Sequence, residues 1–264
     1  MKDLFPAHAG AVLSADIAVP EHPREIRFYS HVLTTGDEPL WRRDLMNNLG
    51  MPVIGLGPMS PEYAALPLQW MPHIQVPDVA ASVQRAVPLG GSVLMESKDA
   101  NGSSQWAVLL DPFGAAFGII PVVSADQIPP SDRKSPDAGS RVGRIAWLDL
   151  TVSDASAARD FYRQVIGWSA EEVEMKDGDV RYADYNMLGS NGRPAAGICH
   201  ARGANASLPS VWLLYLPVGD LDESLRRVEN EGGKVLVTIR DAHGRDAHAV
   251  VQDPVGARFA LTRA

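Results

Sequence analysis

The chain contains much of its own sequence twice. Residues 70–118 align without a gap on residues 212–260, at an offset of 142, and 19 of the 49 aligned positions are identical. The match ends in Asp111-Pro112-x-Gly114-Ala115 and its copy Asp253-Pro254-x-Gly256-Ala257. A repeat this long must be considered before any local pattern, because it fixes the architecture. A period of about half the chain indicates duplicated domains.

A second, weaker match extends the duplication toward the N-terminus. At an offset of 133, Asp16 aligns with Asp149, and the pair Phe28-Tyr29 aligns with Phe161-Tyr162. Between the halves, the segment 128–137 is polar and rich in proline and has no apolar periodicity. We therefore divide the chain into a first domain at 8–122, a linker at 123–141 and a second domain at 142–264.

The second half reads as two similar modules of one strand, one helix and further strands. Residues 145–152 predict a strand, and Asp154 is a candidate N-cap for a helix over 155–165 that Gly167 stops. Strands are predicted next at 181–187 and 195–200. The following module predicts a strand at 211–218, a helix at 221–231 and strands at 234–239, 247–252 and 258–263. The fold class is therefore α+β, built of tandem βαβββ modules, and the first half copies the arrangement.

The motifs resemble those of the vicinal oxygen chelate superfamily, which includes glyoxalase, bleomycin-resistance and extradiol-dioxygenase-like proteins. The resemblance is strongest to its two-domain glyoxalase-like members and covers nearly the whole chain. It rests on Trp147-x-Asp149-Leu150, Phe161-Tyr162, Gly167-Trp168, Gly232-Gly233 and the Asp253-Pro254-x-Gly256-Ala257 turn. It implies cup-shaped mixed sheets, each of which holds a divalent metal.

The resemblance also implies where metal ligands would stand, at fixed spacings from the acidic residues that follow the strands. Those positions are occupied by Trp147, Leu213 and Ala260 in the second half and by Ser14, Met71 and Gly118 in the first. None is His, Glu, Asp or Gln, the side chains that bind such cations. We therefore expect no cofactor and no metal site of the usual kind. A set built from other histidines, such as His73, His243 and His248, remains an alternative.

Strand alternation selects the side chains that would line each cup. The resulting lining is apolar and aromatic with a few polar groups, as small-molecule pockets are. The candidate ligand-binding residues are Trp147, Asp149, Tyr215, Arg258 and His248 in the second half, and Asp16, Met71, His73, Gln75 and Trp106 in the first. Asp16 and Asp149 occupy matched positions, so they have three alternative roles: structural hydrogen bonding, ligand contact or acid–base catalysis.

Composition restricts the partners. The formal net charge of −8 argues against a nucleic-acid groove, which needs clustered Lys and Arg. No apolar run is long enough to cross a bilayer. A lone cysteine, Cys199, and the absence of a secretory signal pattern favour the cytoplasm. The two cups can form within one chain, so we expect a monomer or a homodimer.

Three functions stay open at this point. The first is a protein that binds an apolar or aromatic small molecule without the usual metal. The second is a lyase, isomerase or dioxygenase of the same superfamily that uses a non-standard metal or acid–base set. The third is a scaffold protein whose cups are collapsed.

Overall fold

A computed structural model describes residues 7–43, 53–124, 143–241 and 243–264. The predicted linker lies almost wholly outside these residues. In chain order the elements of the first half are β1 (Val12–Val19), α1 (His22–Leu33), β2 (Ile54–Pro58), β3 (Met71–Val76), α2 (Val79–Ala86), β4 (Ser92–Lys98), β5 (Ser104–Leu110) and β6 (Ala116–Pro121). Those of the second half are β7 (Trp147–Val152), α3 (Ala155–Ile166), β8 (Ser169–Asp177), β9 (Val180–Leu188), β10 (Pro194–His200), β11 (Trp212–Val218), α4 (Leu221–Asn230), β12 (Lys234–Arg240), β13 (Asp246–Gln252) and β14 (Arg258–Arg263).

Each half forms one mixed sheet. The first sheet has the strand order β2-β1-β3-β6-β5-β4, and the second has the order β12-β13-β14-β11-β7-β10-β9-β8. In both sheets the two modules meet through an antiparallel pair of first strands, β1 with β3 and β7 with β11. The predicted α+β class is confirmed, with one mixed sheet in each half of the chain.

The predicted modules are complete in three of four cases. The second, third and fourth modules each show one strand, one helix and three further strands. The first module shows β1, α1 and β2 within the described residues, and residues 44–52 lie outside them. The sequence predicts no strand over 169–177, where β8 stands. That strand is mostly exposed and carries four acidic residues, so it lacks the apolar content of the other strands.

Helix ends follow the local sequence. Asp154 caps α3 as predicted, since its Oδ1 accepts the backbone N–H of Ala157 at 2.9 Å. Gly167 ends the helix in the left-handed region, at a φ of 86°, where a glycine has no Cβ to strain. Asp78 and Asp220 cap α2 and α4 in the same way. None of the described helices is long and apolar enough to cross a membrane.

One apolar core joins the two halves. Helix α1 contacts α4, and α2 contacts α3, so each half covers the helices of the other. Phe28 and Phe259 pack edge to face with ring centroids 6.3 Å apart, as do Phe117 and Phe161 at 6.2 Å. These rings come from opposite halves in both cases. The helix-covered faces of the two sheets are therefore buried against each other, and the opposite faces are left for other contacts.

Two buried hydrogen-bonded triads tie the halves together. The hydroxyl of Tyr162 on α3 donates to Asp111 Oδ2 in the first half at 3.0 Å, and it accepts from Trp212 Nε1 at 2.9 Å. The repeat-related copy joins Tyr29 on α1 to Asp253 at 3.0 Å and to Trp70 Nε1 at 2.9 Å. Each turn of Asp-Pro-x-Gly type thus receives a tyrosine from the other half.

Candidate functional site

The candidate site lies on the helix-free face of the first sheet, here called the first cup. Ala15 and Ile17 of β1 point into the shared core. Alternation therefore turns Ser14, Asp16 and Ala18 to the opposite face. The same rule places Met71 and His73 of β3 on that face, because Ile74 and Val76 point to the core.

The first cup holds a cavity of about 390 Å³. Its walls come from β1, β2, β3, β4, β5, β6 and the chain that follows β2. The apolar and glycine lining is Ile17, Ala18, Gly55, Leu56, Gly57, Tyr63, Leu66, Met71, Met95, Trp106, Ala107, Val108, Gly118, Ile119 and Ile120. Asp16 and His73 are the ionisable side chains among the described lining residues apart from the Tyr63 phenol, and no lysine or arginine is among them.

His73 is fixed by its neighbours on the sheet. It lies opposite Ser14 in the β1–β3 ladder, and Ser14 Oγ is 3.0 Å from His73 Nδ1. His73 Nε2 lies 3.7 Å from Asp16 Oδ2, too far for a hydrogen bond of normal strength. On the next strand His73 pairs with Gly118, and a Cβ at Gly118 would collide with the imidazole ring. The absence of a side chain at Gly118 makes room for this histidine.

Burial shifts the pKa values of Asp16 and His73 in opposite directions. Burial lowers the pKa of His73, and the negative charge of Asp16 only partly opposes this. The packed walls of the cup desolvate Asp16 and raise its pKa, against the opposing effect of His73. The Asp16 side chain is still 48% exposed, so water and a ligand can reach its carboxylate. Burial therefore disfavours the charged form of each group, the imidazolium of His73 and the carboxylate of Asp16.

The helix-free face of the second sheet, the second cup, carries a different polar group. Trp147 Nε1 donates to Asp149 Oδ1 at 2.7 Å, and the Tyr215 hydroxyl also hydrogen-bonds Asp149. Burial raises the pKa of Asp149 to about 6, which these two donors partly oppose. A Cβ at Gly197 would collide with the Asp149 carboxylate. The ring of His248 lies 5.4 Å from that of Tyr215.

The repeat relates the two cups position by position. Asp16 is equivalent to Asp149, and His73 is equivalent to Tyr215. In the second cup the protein itself supplies two donors to the aspartate. In the first cup no described residue donates a hydrogen bond to Asp16, and its ionisable neighbour is His73. The two matched aspartates therefore differ in their free hydrogen-bonding capacity: Asp149 has two donors from the protein, and Asp16 has none among the described residues.

Some predicted site residues meet and others do not. Asp16, Met71, His73 and Trp106 line one cavity. Gln75 does not line it: the side chain is fully buried, and its Oε1 accepts the backbone N–H of Val123 at 2.9 Å. Gln75 is therefore not among the residues that line this cavity, because its buried side chain bonds to the backbone at the end of the first domain.

Of the candidate ligand-binding residues in the second half, four lie close together and Arg258 is not paired with Asp149. Trp147, Asp149, Tyr215 and His248 form the polar group described above. Arg258 is not a charge partner of Asp149, whose pKa responds to Trp147, Tyr215 and Asp184 instead. The Nε of Arg258 is buried and has no hydrogen-bond partner among the described residues.

The largest omission of the sequence prediction is the wall formed by β2 and the residues after it. Gly55, Gly57, Tyr63 and Leu66 line the cavity. This segment has no counterpart in the detected repeat and contains several glycines and prolines, so neither duplication nor strand periodicity identified it.

The six positions that the resemblance assigns to metal ligands do not suit a cation. Leu213 and Ala260 are apolar and fully buried. The space beside Gly118 is filled by His73, and Ser14 is hydrogen-bonded to the same ring. Within the described ranges no group of three or more His, Cys, Asp or Glu side chains is arranged to hold a metal ion. The donor set therefore gives no basis for a metal-dependent step.

Comparison with known families agrees with the geometry. A family model described as "Glyoxalase/Bleomycin resistance protein/Dioxygenase superfamily" matches residues 144–261, and one described as "Glyoxalase-like domain" matches residues 13–120. The two matched regions correspond to the two sheets.

Relatives and solved structures share this fold. The chain is 26% identical over 218 residues to "Putative glyoxylase CFP32" of Mycobacterium tuberculosis, covering 81% of this chain and 77% of that protein. It is 27% identical over 217 residues to "Anthracycline biosynthesis protein DnrV" of Streptomyces peucetius, covering 78% and 69%. The 2,3-dioxygenase LapB from Pseudomonas sp. KL28 superimposes with a TM-score of 0.57 at 13% identity, covering 98% of this chain and 94% of the other. At that identity the likeness shows the fold alone.

Proposed function

Because the chain belongs to the glyoxalase/bleomycin resistance/dioxygenase superfamily, with one glyoxalase-like domain in each half, we propose that it binds a small, largely apolar or aromatic molecule in the first cup. The observation that carries the proposal is the 390 Å³ cavity with its apolar walls and one polar corner. Pockets of this size and composition are typical of small-molecule sites.

The polar corner gives the ligand an orientation. Asp16 and His73 stand together at one side of the cavity, whereas Met71, Met95 and Trp106 supply apolar surface. A flat ring system gains free energy from burial against that surface, and a polar substituent reaches the corner. Both modules of the cup come from one chain, so binding requires no second copy.

We further propose that binding needs no divalent metal, because the side chains at the expected ligand positions are apolar or already engaged. The names of the relatives, a glyoxylase and a protein of anthracycline biosynthesis, support a small organic molecule as ligand.

A metal-free enzyme is the second candidate. The observation that favours it is Asp149, whose pKa of about 6 suits a group that accepts and returns a proton near neutral pH. The third alternative, a scaffold with collapsed cups, is disfavoured for the first half by the open cavity.

Filling the cavity should abolish binding. Gly57 lines the cavity, and a Cβ there would meet no atom closer than 4.0 Å, so Gly57→Phe places a ring in the cup without a backbone clash. The probe is N-phenyl-1-naphthylamine, a neutral aromatic whose fluorescence rises in apolar surroundings. We expect saturable binding by the parent protein and at least roughly a tenfold loss of affinity in Gly57→Phe.

The matched control is Val180→Phe, which adds the same ring at an exposed strand position of the second half. It should bind the probe like the parent protein. Equal binding by all three proteins, with their thermal unfolding unchanged, would contradict the proposal that the first cup is the binding site.

A further inference from the structure

We infer that the ligand of the first cup is an organic cation, an aromatic or polycyclic amine whose ammonium group pairs with Asp16. This inference rests on the proposed function and adds the charge of the ligand to it. It follows from the unbalanced charge of the cavity, from the unused hydrogen-bonding capacity of Asp16 and from the contrast with Asp149.

The described walls of the cavity carry one carboxylate and no permanent positive charge. No lysine or arginine is among the described residues that line it. His73 is the one basic neighbour of Asp16 within the described part of the chain, and burial lowers its pKa, so the imidazole is a poor source of compensating charge. A partly desolvated carboxylate without a cation is unfavourable, and a ligand ammonium group relieves that cost.

Asp16 also has unused acceptor capacity. A carboxylate accepts several hydrogen bonds, and no described residue donates one to Asp16. The Ser14 hydroxyl instead contacts His73 Nδ1, which holds the ring beside the carboxylate at 3.7 Å. Asp16 lines the cavity, and its side chain is 48% exposed, so a ligand can reach it.

In the second cup the matched aspartate is hydrogen-bonded by side chains of the protein itself. Asp149 accepts from Trp147 Nε1 and from the Tyr215 hydroxyl, both neutral donors of the same chain. Ser14 and His73 replace these two residues in the first cup, and neither hydrogen-bonds Asp16. The substitutions leave Asp16 available to an external donor.

The apolar walls suit the rest of such a cation. Trp106 lines the cavity and is 38% exposed, so its indole face can pack on a ring or on the carbon next to an ammonium group. An anionic ligand would meet Asp16 with like charge and no lysine or arginine to offset it.

Three probes of nearly equal shape test the sign of the charge. They are 1-naphthylmethylamine as the cation, 1-naphthylmethanol as the neutral form and 1-naphthoate as the anion, each measured by displacement of N-phenyl-1-naphthylamine at pH 7. We expect the amine to bind roughly 10- to 100-fold more tightly than the alcohol, as for a charge-assisted hydrogen bond, and the naphthoate to bind most weakly.

Two variants assign the effect to one carboxylate. Asp16→Asn should reduce the preference for the amine to within about twofold while the alcohol still binds. Asp179→Asn removes the same charge from an exposed turn of the second half and should leave the preference intact. Comparable affinities for the amine and the alcohol in the parent protein would overturn the inference but leave the proposed function standing. A failure of N-phenyl-1-naphthylamine and all three probes to bind would overturn both.

Discussion

Replacing Asp111 with alanine is expected to lower the free energy of unfolding by roughly 3–5 kcal/mol. Asp111 is 3% exposed. Its Oδ1 accepts the backbone N–H groups of Phe113 and Ala115 at 2.8 Å, and its Oδ2 accepts the Tyr162 hydroxyl. Alanine would remove the partner of all three donors, of which those of Ala115 and Tyr162 are buried, and each buried donor left unpaired costs about 1–3 kcal/mol.

The effect is large because Asp111 acts both within its turn and between the halves. It shapes the turn before β6 and receives a tyrosine from the other half of the chain. Asp154→Ala is the matched control, since it removes the same atoms from an exposed helix N-cap and should cost roughly 1 kcal/mol. Urea unfolding of both variants measures the difference. Equal losses for Asp111→Ala and Asp154→Ala would show that the buried triad does not stabilise the fold.

Glu25→Gln is expected to abolish a large dependence of stability on pH. Glu25 lies on α1 and is fully buried, and neither of its oxygens has a hydrogen-bond partner of normal geometry among the described residues. Burial raises its pKa to about 8, helped by the facing carboxylate of Asp253. The repeat-related position on α3 is Ala158, so this buried acid occurs in one half only.

Because the pKa of Glu25 is higher in the folded protein than in the unfolded chain, the free energy of unfolding decreases as pH rises. Between about pH 4.5, the ordinary value, and pH 8, the folded protein holds a proton that the unfolded chain releases. Stability therefore falls as pH rises through this window, by an amount on the order of 5 kcal/mol. Asp253 and Glu21 raise the pKa of Glu25, Arg24 lowers it, and the Tyr29 hydroxyl donates to Asp253 beside it.

Denaturant unfolding at pH 5, 6, 7 and 8 measures this effect. The parent protein should lose stability across the series, and Glu25→Gln should lose much less between pH 6 and 8 and be more stable than the parent at pH 8. Identical slopes for the two proteins would show that Glu25 ionises in the folded state as it does in the unfolded chain.

The repeat made most of the fold predictable. Identical residues recur at equivalent places in the two halves because each module solves the same packing problem, so strands, caps and the Asp-Pro-x-Gly turns follow from local sequence. The hydrogen bonds between the two halves do not follow from local sequence. Tyr29 contacts Asp253 and Tyr162 contacts Asp111, and no local pattern indicates that each tyrosine crosses to the other half. Strand β8 was missed because its residues are mostly exposed and acidic.

Part of the cavity lining could be predicted from strand alternation alone. Asp16, Met71 and His73 lie on one face because they alternate along their strands, and the structure places them in one cavity. Alternation could not show that Gln75 turns to the backbone of Val123, or that His73 occupies the space beside Gly118. Nor could it distinguish the matched aspartates, since the donors to Asp149 come from Trp147 and Tyr215, whose counterparts Ser14 and His73 contact each other instead.

The most direct test of binding in the first cup is a methyl NMR titration of the protein labelled at its methionine methyl groups, with N-phenyl-1-naphthylamine as ligand. Met71 and Met95 line the cavity, whereas Met175 and Met187 lie on β8 and β9 of the second half. Methionine-to-leucine variants assign the signals. We predict that the signals of Met71 and Met95 shift with saturation under the ring current of the probe and that those of Met175 and Met187 stay in place. Saturable binding that leaves Met71 and Met95 unshifted would contradict the assignment of the ligand to the first cup.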